Sequence, residues 1–144
     1  MKILVGMSGG IDSSAAALLL KQAGHEVIGA TMSLYNRNNP ITTHMSGSAC
    51  FGPSEENTIR EAKAVCEKLD IPLHVIDCSA QYEKHVLDNF THEYKEGRTP
   101  NPCVWCNSFI KFGALSEEAQ NQKIDFDAYA TGHYVKVVRI NERY

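Results

Sequence analysis

No apolar run in this 144-residue chain approaches the roughly 18 residues that a membrane-crossing helix needs, so no membrane span is expected. The basic, apolar and small-residue succession of a secretory signal is also missing from the first residues, and a cytoplasmic location is the expectation. Excess positive charge is lacking: 14 Lys and Arg stand against 17 Asp and Glu, a net charge of −3. A basic surface is the usual footprint of nucleic-acid binding, so an RNA partner has to be argued from particular residues rather than totals. An even set of cysteines is missing too. Five are present, Cys50, Cys66, Cys78, Cys103 and Cys106, which argues against a disulfide framework and for metal, redox or nucleophilic use of some of them. What is present is an ordinary globular composition and a length of one domain, 1–144, enough to bury roughly 70% of its unfolded surface.

The first turn carries the densest chemistry. Gly6-Met7-Ser8-Gly9-Gly10-Ile11-Asp12-Ser13-Ser14 lies between Lys2-Ile3-Leu4-Val5, a β-branched run that reads as a buried strand, and Ala15-Ala16-Ala17-Leu18-Leu19-Leu20, a strong helix former. Glycines let the backbone bend and approach a ligand, and Asp12, Ser13 and Ser14 suit a helix cap or first turn. A helix N-terminus with open N–H groups attracts anions, so this loop reads as a phosphate cradle. It lacks the lysine of G-x-x-x-x-G-K-[ST] and does not have G-x-G-x-x-G spacing.

Gly24-His25 ends the first helix, and Glu26 to Met32 reads as a second strand, which makes a βαβ unit with a parallel pair. Its carboxyl end falls beside the first loop, placing Met32 and Ser33 at the adenine side of a nucleotide. Residues 34–53 read as a long polar loop with Cys50 an incidental thiol near its end. Ser54-Glu55-Glu56 reads as a cap and acidic first turn, followed by the helical stripe Ile59, Ala62, Cys66 and Leu69. Ile71 to Asp77 reads as a third strand, with Cys78 exposed at its carboxyl end. The next helix spans about Ala80 to Tyr94 on the stripe Tyr82, Val86, Phe90 and Tyr94. His85 and His92 are seven apart and read as surface or half-buried. A last helix presents Phe109, Phe112, Leu115 and Ala119. Phe126 to Thr131 reads as a fourth strand running into Gly132-His133-Tyr134 at the edge shared with the first loop. There the Gly132 N–H and the His133 ring are placed to touch a nucleotide, and Val135 to Tyr144 reads as a strand leading outward.

Gly97-Arg98-Thr99-Pro100-Asn101-Pro102-Cys103-Val104-Trp105-Cys106-Asn107 is the second chemical stretch. Its prolines read as extended backbone and a stiff loop, with a helix starting at Asn107. A thiolate gains from a helix N-terminus or a nearby cation, of which Arg98 and Lys111 are the nearest. One C-x-x-C supplies two ligands where structural zinc takes four, so redox or nucleophilic use, or a cluster completed from elsewhere, fits better.

Three separated stretches together resemble the N-terminal catalytic domain of the tRNA 2-thiouridylases (tRNA-uridine 2-sulfurtransferases). They are Gly6-Met7-Ser8-Gly9-Gly10-Ile11-Asp12-Ser13-Ser14, then Gly97 to Pro102 with Cys106-Asn107 and Ile110-Lys111-Phe112, then Ala130-Thr131-Gly132-His133-Tyr134. The first stretch alone resembles the pyrophosphate loop of N-type ATP pyrophosphatases, which cleave ATP between the α and β phosphates. The resemblance implies an α/β fold, a doubly wound and mostly parallel sheet of the adenine nucleotide alpha hydrolase type.

It also implies the chemistry. ATP would sit on residues 6–14 with Met32, Gly132 and His133, and Asp12 with Mg²⁺ and the serines would stabilise the pyrophosphate. The 2-oxygen of the wobble uridine would become an adenylate, and sulfur from a persulfide donor protein would displace AMP. Cys106 would be the first catalytic cysteine, with Asn101, Pro102 and Cys103 at the target base. The best-known members carry Asp where this chain has Cys103, so a [4Fe-4S] cluster on Cys103, Cys106 and a downstream cysteine is one expectation, and a local redox pair another. The family has a second catalytic cysteine and further tRNA-binding domains beyond this point, so 1–144 reads as an N-terminal fragment of a longer protein. Two other classes fit the first loop: an ATP pyrophosphatase that adenylates a small molecule for amidation, and an ATP-binding module with a redox- or metal-sensing C-x-x-C.

Overall fold

The structure, a computed structural model, describes residues 1–34 and 55–136. Strands β1 (Lys2–Gly6), β2 (Glu26–Ser33), β3 (Leu73–Asp77) and β4 (Ala128–Thr131) form one parallel sheet in the order β3-β2-β1-β4. The central strands are apolar over consecutive residues because both faces are covered: Ile3, Leu4 and Val5 are all buried, as are residues 27–31. Leu4 pairs in register with Ile28 on one side and Tyr129 on the other.

Helices α1 (Ile11–Gln22) and α2 (Glu55–Leu69) belong to one face, where Ala17, Ala62 and Cys66 pack with Ile3, Val5 and Val27. Cys66 is a core residue, as its stripe predicts, and burial pushes its thiol pKa up. The opposite face carries α3, residues 79–95, and α4, residues 102–121. Their Tyr82, Val86, Ile110 and Leu115 pack with Leu4, Ile28 and Ile76. The chain therefore winds outward from β1 to β3 on one face and returns over the other to place β4 beside β1. Strand order reverses between β1 and β4, and in open α/β sheets ligands bind at the carboxyl ends of the strands flanking such a reversal.

Several expectations need correction. Cys78 is fully buried, not exposed: its N–H donates to the Ser33 carbonyl at 2.9 Å and its thiol joins the core. Burial, with lesser repulsion from Glu118, Asp77 and Cys106, pushes its pKa up to about 12. Helix α3 starts as Ser79–Tyr82, passes through a π-helical turn at Glu83–Leu87 and ends as Asp88–Lys95. The wider turn breaks the every-fourth-residue stripe, so Tyr82 and Val86 are buried while Phe90 is half-buried and Tyr94 is 57% exposed.

Helix α4 starts at Pro102, not Asn107. Proline is tolerated at a first helical position because its missing N–H would have had no partner there, and Asn101 (φ −119°, ψ 89°) stays outside the helical region before it. The helix runs as Pro102–Trp105, then in π register as Cys106–Ala114, then as Leu115–Asn121. That register turns Ile110 and Ala114 into the core and leaves Phe109 and Phe112, expected on the apolar stripe, 43% and 52% exposed. Val135 and Lys136 form no strand, and residues 137–144 of that expectation lie outside the described residues, as do Cys50, Ser54 and nearly all of the polar stretch 34–53.

Candidate nucleotide site and cysteine helix

The carboxyl end of β1 opens directly into the first loop. Met7 is buried and its N–H donates to the Ala30 carbonyl at 2.7 Å, which holds the loop to β2. Gly9 has φ +76°, and a Cβ there would stand 2.8 Å from Glu61 Cβ, so only glycine lets the loop pass against α2. The serines knit the turn together. Ser8 N–H donates to Ser13 Oγ at 3.2 Å, Ser13 Oγ donates to the Gly10 carbonyl at 3.2 Å, and Ser14 Oγ donates to the same carbonyl at 2.7 Å. Gly10 begins α1 without a side-chain cap, which leaves first-turn N–H groups for a ligand.

Strand β4 delivers the other wall. A Cβ on Gly132 would stand 2.6 Å from the Ser13 nitrogen and 2.7 Å from the Asp12 carbonyl carbon. The two backbones meet at the reversal in strand order. Beyond it, His133 Nδ1 lies 2.9 Å from Thr131 Oγ1, and the His133 ring is 4.9 Å from that of Phe112. Tyr134 Oη donates to Asp12 Oδ1 at 2.8 Å, and this bond to the carboxylate raises the phenol pKa.

Between these walls lies a cleft of about 590 Å³, within the size range of small-molecule sites. Of the residues expected at a nucleotide, Gly6, Met7, Ser8, Gly10, Asp12, Ser13, Met32, Gly132 and His133 line it. Gly9, Ile11 and Ser14 do not: Gly9 packs on α2, Ile11 is 87% exposed, and Ser14 hydrogen-bonds back into the turn. The sequence reading missed the floor and far wall. Glu55, Asn57, Thr58 and Glu61 arrive from α2, and Lys111, Leu115 and Tyr129 from α4 and β4. An acidic helix start following a strand's carboxyl end was a usable signal for Glu55. Glu55 is buried and accepts from Ser33 Oγ at 2.6 Å and from Leu34 N–H at 2.8 Å.

Asn101, Pro102, Cys103 and Cys106 lie at the start of α4, outside the cleft wall but on the helix that contributes Lys111 and Leu115 to it. Cys103 is exposed and Cys106 is half-buried against the core; neither is in a disulfide. Three residues apart on one helix, they share a side. Among the described residues no group of three or more His, Cys, Asp or Glu is arranged to hold a metal ion. Two thiols fall short of the four ligands that an iron–sulfur cluster takes, so the described residues alone do not fit one. Magnesium asks less, one or two carboxylates together with substrate phosphates, and the Asp12 carboxylate in the first turn of α1, lining the cleft, fits that demand.

The tRNA-specific 2-thiouridylase MnmA of Endomicrobium trichonymphae is 50% identical over 137 residues, which is 95% of this chain and 38% of that protein. The protein of the same name from Leptospira biflexa is 46% identical over 143 residues, 99% of this chain and 36% of its own length. The chain thus spans under two fifths of the curated relatives it matches. A solved structure described as a predicted subunit of tRNA methyltransferase from Methanocaldococcus jannaschii superposes with a TM-score of 0.54 at 18% identity, over 92% of this chain and 53% of that one; it shares the fold. The profile of the tRNA methyl transferase HUP domain matches residues 1–144, and the chain belongs to that family.

Proposed function

We propose that this chain is the ATP pyrophosphatase part of a tRNA 2-thiouridylase, which activates the wobble uridine of tRNA as an adenylate so that a persulfide sulfur can replace its 2-oxygen. The observation that carries this reading is the cleft itself. A lysine-free glycine and serine loop and the Gly132 backbone close on one another at the start of α1, beside the helix that bears Cys106.

The residues divide the work. The first-turn N–H groups of α1 and the Ser8 and Ser13 hydroxyls receive the phosphates leaving as pyrophosphate. Asp12 would hold Mg²⁺, whose contribution is to neutralise that leaving group. Met32 and Gly132 bound the adenosine side. The uridine 2-oxygen attacks the α-phosphorus and expels pyrophosphate; the persulfide sulfur then attacks C2 and expels AMP. With that persulfide carried on Cys106, a second thiol from outside this chain then attacks Cys106 Sγ and forms a disulfide with it, the bond from Cys106 to the transferred sulfur breaks, and the sulfur stays on C2; the two thiols together supply the two electrons. The exposed start of α4, Asn101 to Cys106, is where the target base meets Cys106, and a base reaches such a place only by leaving its stack.

The relatives' greater length supports reading 1–144 as one domain of a longer protein, and the proposed reaction makes tRNA and a persulfide donor its partners, in the cytoplasm. The test joins this chain to the remaining domains and supplies ATP, unmodified tRNA and a persulfide donor. Thiolated tRNA with stoichiometric AMP and pyrophosphate is expected, lost in Asp12→Asn and Cys106→Ser. Release of AMP and pyrophosphate without thiolated tRNA, unaffected by Cys106→Ser, would overturn it in favour of amidation chemistry.

A further inference from the structure

The cleft walls are acidic, with Asp12, Glu55 and Glu61 on them, yet the ligand proposed above is a polyanion. The first loop has no lysine to offset that charge. Among the described residues that line the cleft, Lys111 is the one Lys or Arg. It comes from α4, on the opposite face of the sheet from α1, so the cleft is lined from both faces, by the start of α1 and by Lys111.

Lys111 is held there by its backbone. Tyr129 Oη donates to the Lys111 carbonyl at 2.8 Å, and the same hydroxyl occupies the space where a Gly6 Cβ would be, at 2.8 Å. Gly6, Tyr129 and Lys111 thus make one continuous contact from the first loop to α4. The π register sets the side of α4 on which Lys111 lies relative to Cys106. Leu115 N–H bonds back to the Ile110 carbonyl, five residues earlier, and the wider turn that this bonding requires brings residues five apart toward the same side. Cys106 and Lys111 are five apart. In a regular α-helix that spacing would carry Lys111 to another side of the helix from Cys106. The ammonium has no ion-pair partner among the described residues, although three carboxylates share the cleft, so it is available to a ligand.

We infer that Lys111 is the phosphate-binding cation of the cleft, taking from α4 the role that a loop lysine has in other phosphate sites. The inference rests on the nucleotide reading of the cleft. It predicts that Lys111 contributes to binding of the phosphates and nothing to binding of the nucleoside.

Calorimetric titration of the chain and of Lys111→Met with α,β-methylene-ATP, inorganic pyrophosphate and adenosine tests it. Lys111→Met is expected to weaken both phosphate ligands by about tenfold or more, as for loss of one charge-assisted contact, and to leave adenosine within about twofold. Lys111→Arg is expected to recover most of the loss. Equal affinity of wild type and Lys111→Met for α,β-methylene-ATP would overturn the inference and leave the nucleotide site standing. An equal loss of adenosine and analogue would assign Lys111 a structural role instead. Failure of the wild type to bind the analogue at all would overturn both.

Discussion

Gly132 and Ser13 touch through their backbones: a Cβ at 132 would stand 2.6 Å from the Ser13 nitrogen, closer than any real Cβ comes. The two residues are 119 positions apart, one directly after β4 and the other in α1, and they meet where strand order reverses between β1 and β4. Gly132→Ala is therefore expected to push the β4 turn off the start of α1. Overpacking of this kind costs about 1–3 kcal/mol, and the displaced groups are those that wall the cleft. Nucleotide affinity should fall by about tenfold or more, with a modest drop in the urea midpoint. Calorimetry and equilibrium unfolding check both. Unchanged affinity would mean that the cleft does not need this contact.

Glu55 links the end of β2 to the start of α2 through Ser33 Oγ and the Leu34 N–H. Removing its carboxylate leaves both donors without that acceptor in a largely buried place, which costs about 1–3 kcal/mol. Glu55→Ala is expected to lose that much, and Ser33→Ala less, because water can reach the remaining oxygen. The double variant should be less destabilised than the sum, by about 0.5 kcal/mol or more, as for groups in one network. Strict additivity in urea unfolding would show that the Ser33 bond contributes nothing.

Much of this architecture is legible in the residues. The apolar run at Ile3 to Val5, the glycine and serine turn after it, and the return of an apolar strand at Ala128 place the cleft, because parallel strands bring their carboxyl ends to one edge. Cys66 is legible as core from its stripe. Cys78 is not: one residue past a strand end looks exposed in one dimension, whereas in the fold the chain turns there beneath the sheet. Phe109 and Phe112 depart from their expected stripe for a different reason. Side-chain periodicity assumes 3.6 residues per turn, and a π segment violates that period without any single residue that announces it.

Alkaline pH should unfold the protein through Cys78 and Tyr129. Burial holds the Cys78 thiol, ordinarily at 9.0, up to about 12, and the Tyr129 phenol, ordinarily at 10.0, also to about 12. Below about pH 9 both groups keep their protons, folded or unfolded, and their contribution to stability is constant. Above it the unfolded chain releases protons that the folded chain retains. The unfolded state then binds fewer protons, the slope of unfolding free energy with pH is negative, and stability falls between about pH 9 and 12. Cys78→Ala should be less stable at neutral pH, from the volume lost, yet show a shallower decline from about pH 8 to about pH 10. Urea midpoints at the two pH values measure that slope, and an identical slope in the variant would refute the assignment. At neutral pH a thiol-alkylating reagent should label Cys103 fastest among the four described cysteines and reach Cys66 and Cys78 only on unfolding.

The π register of residues 106–114 makes a prediction opposite to that of a regular helix. In the helical reading of the sequence, Phe109 and Phe112 are core residues, and truncating either would cost about 3–5 kcal/mol. In the structure they are half-exposed. Phe109 stacks on His85 (4.9 Å, 3°) and on Trp105 (5.3 Å, 14°), and Phe112 lies against His133, while Ile110 is fully buried in the core with residues of the sheet and α3. Exposed ring pairs contribute about 0.5–1.5 kcal/mol, so Phe109→Ala and Phe112→Ala should each cost about 1 kcal/mol. Ile110→Ala, which empties a site walled by Leu4, Ile76 and Val86, should cost about 2–5 kcal/mol. Equilibrium unfolding of the three variants ranks them. A ranking with Phe109→Ala or Phe112→Ala worse than Ile110→Ala would restore the regular helix and rotate Lys111 out of the cleft with it.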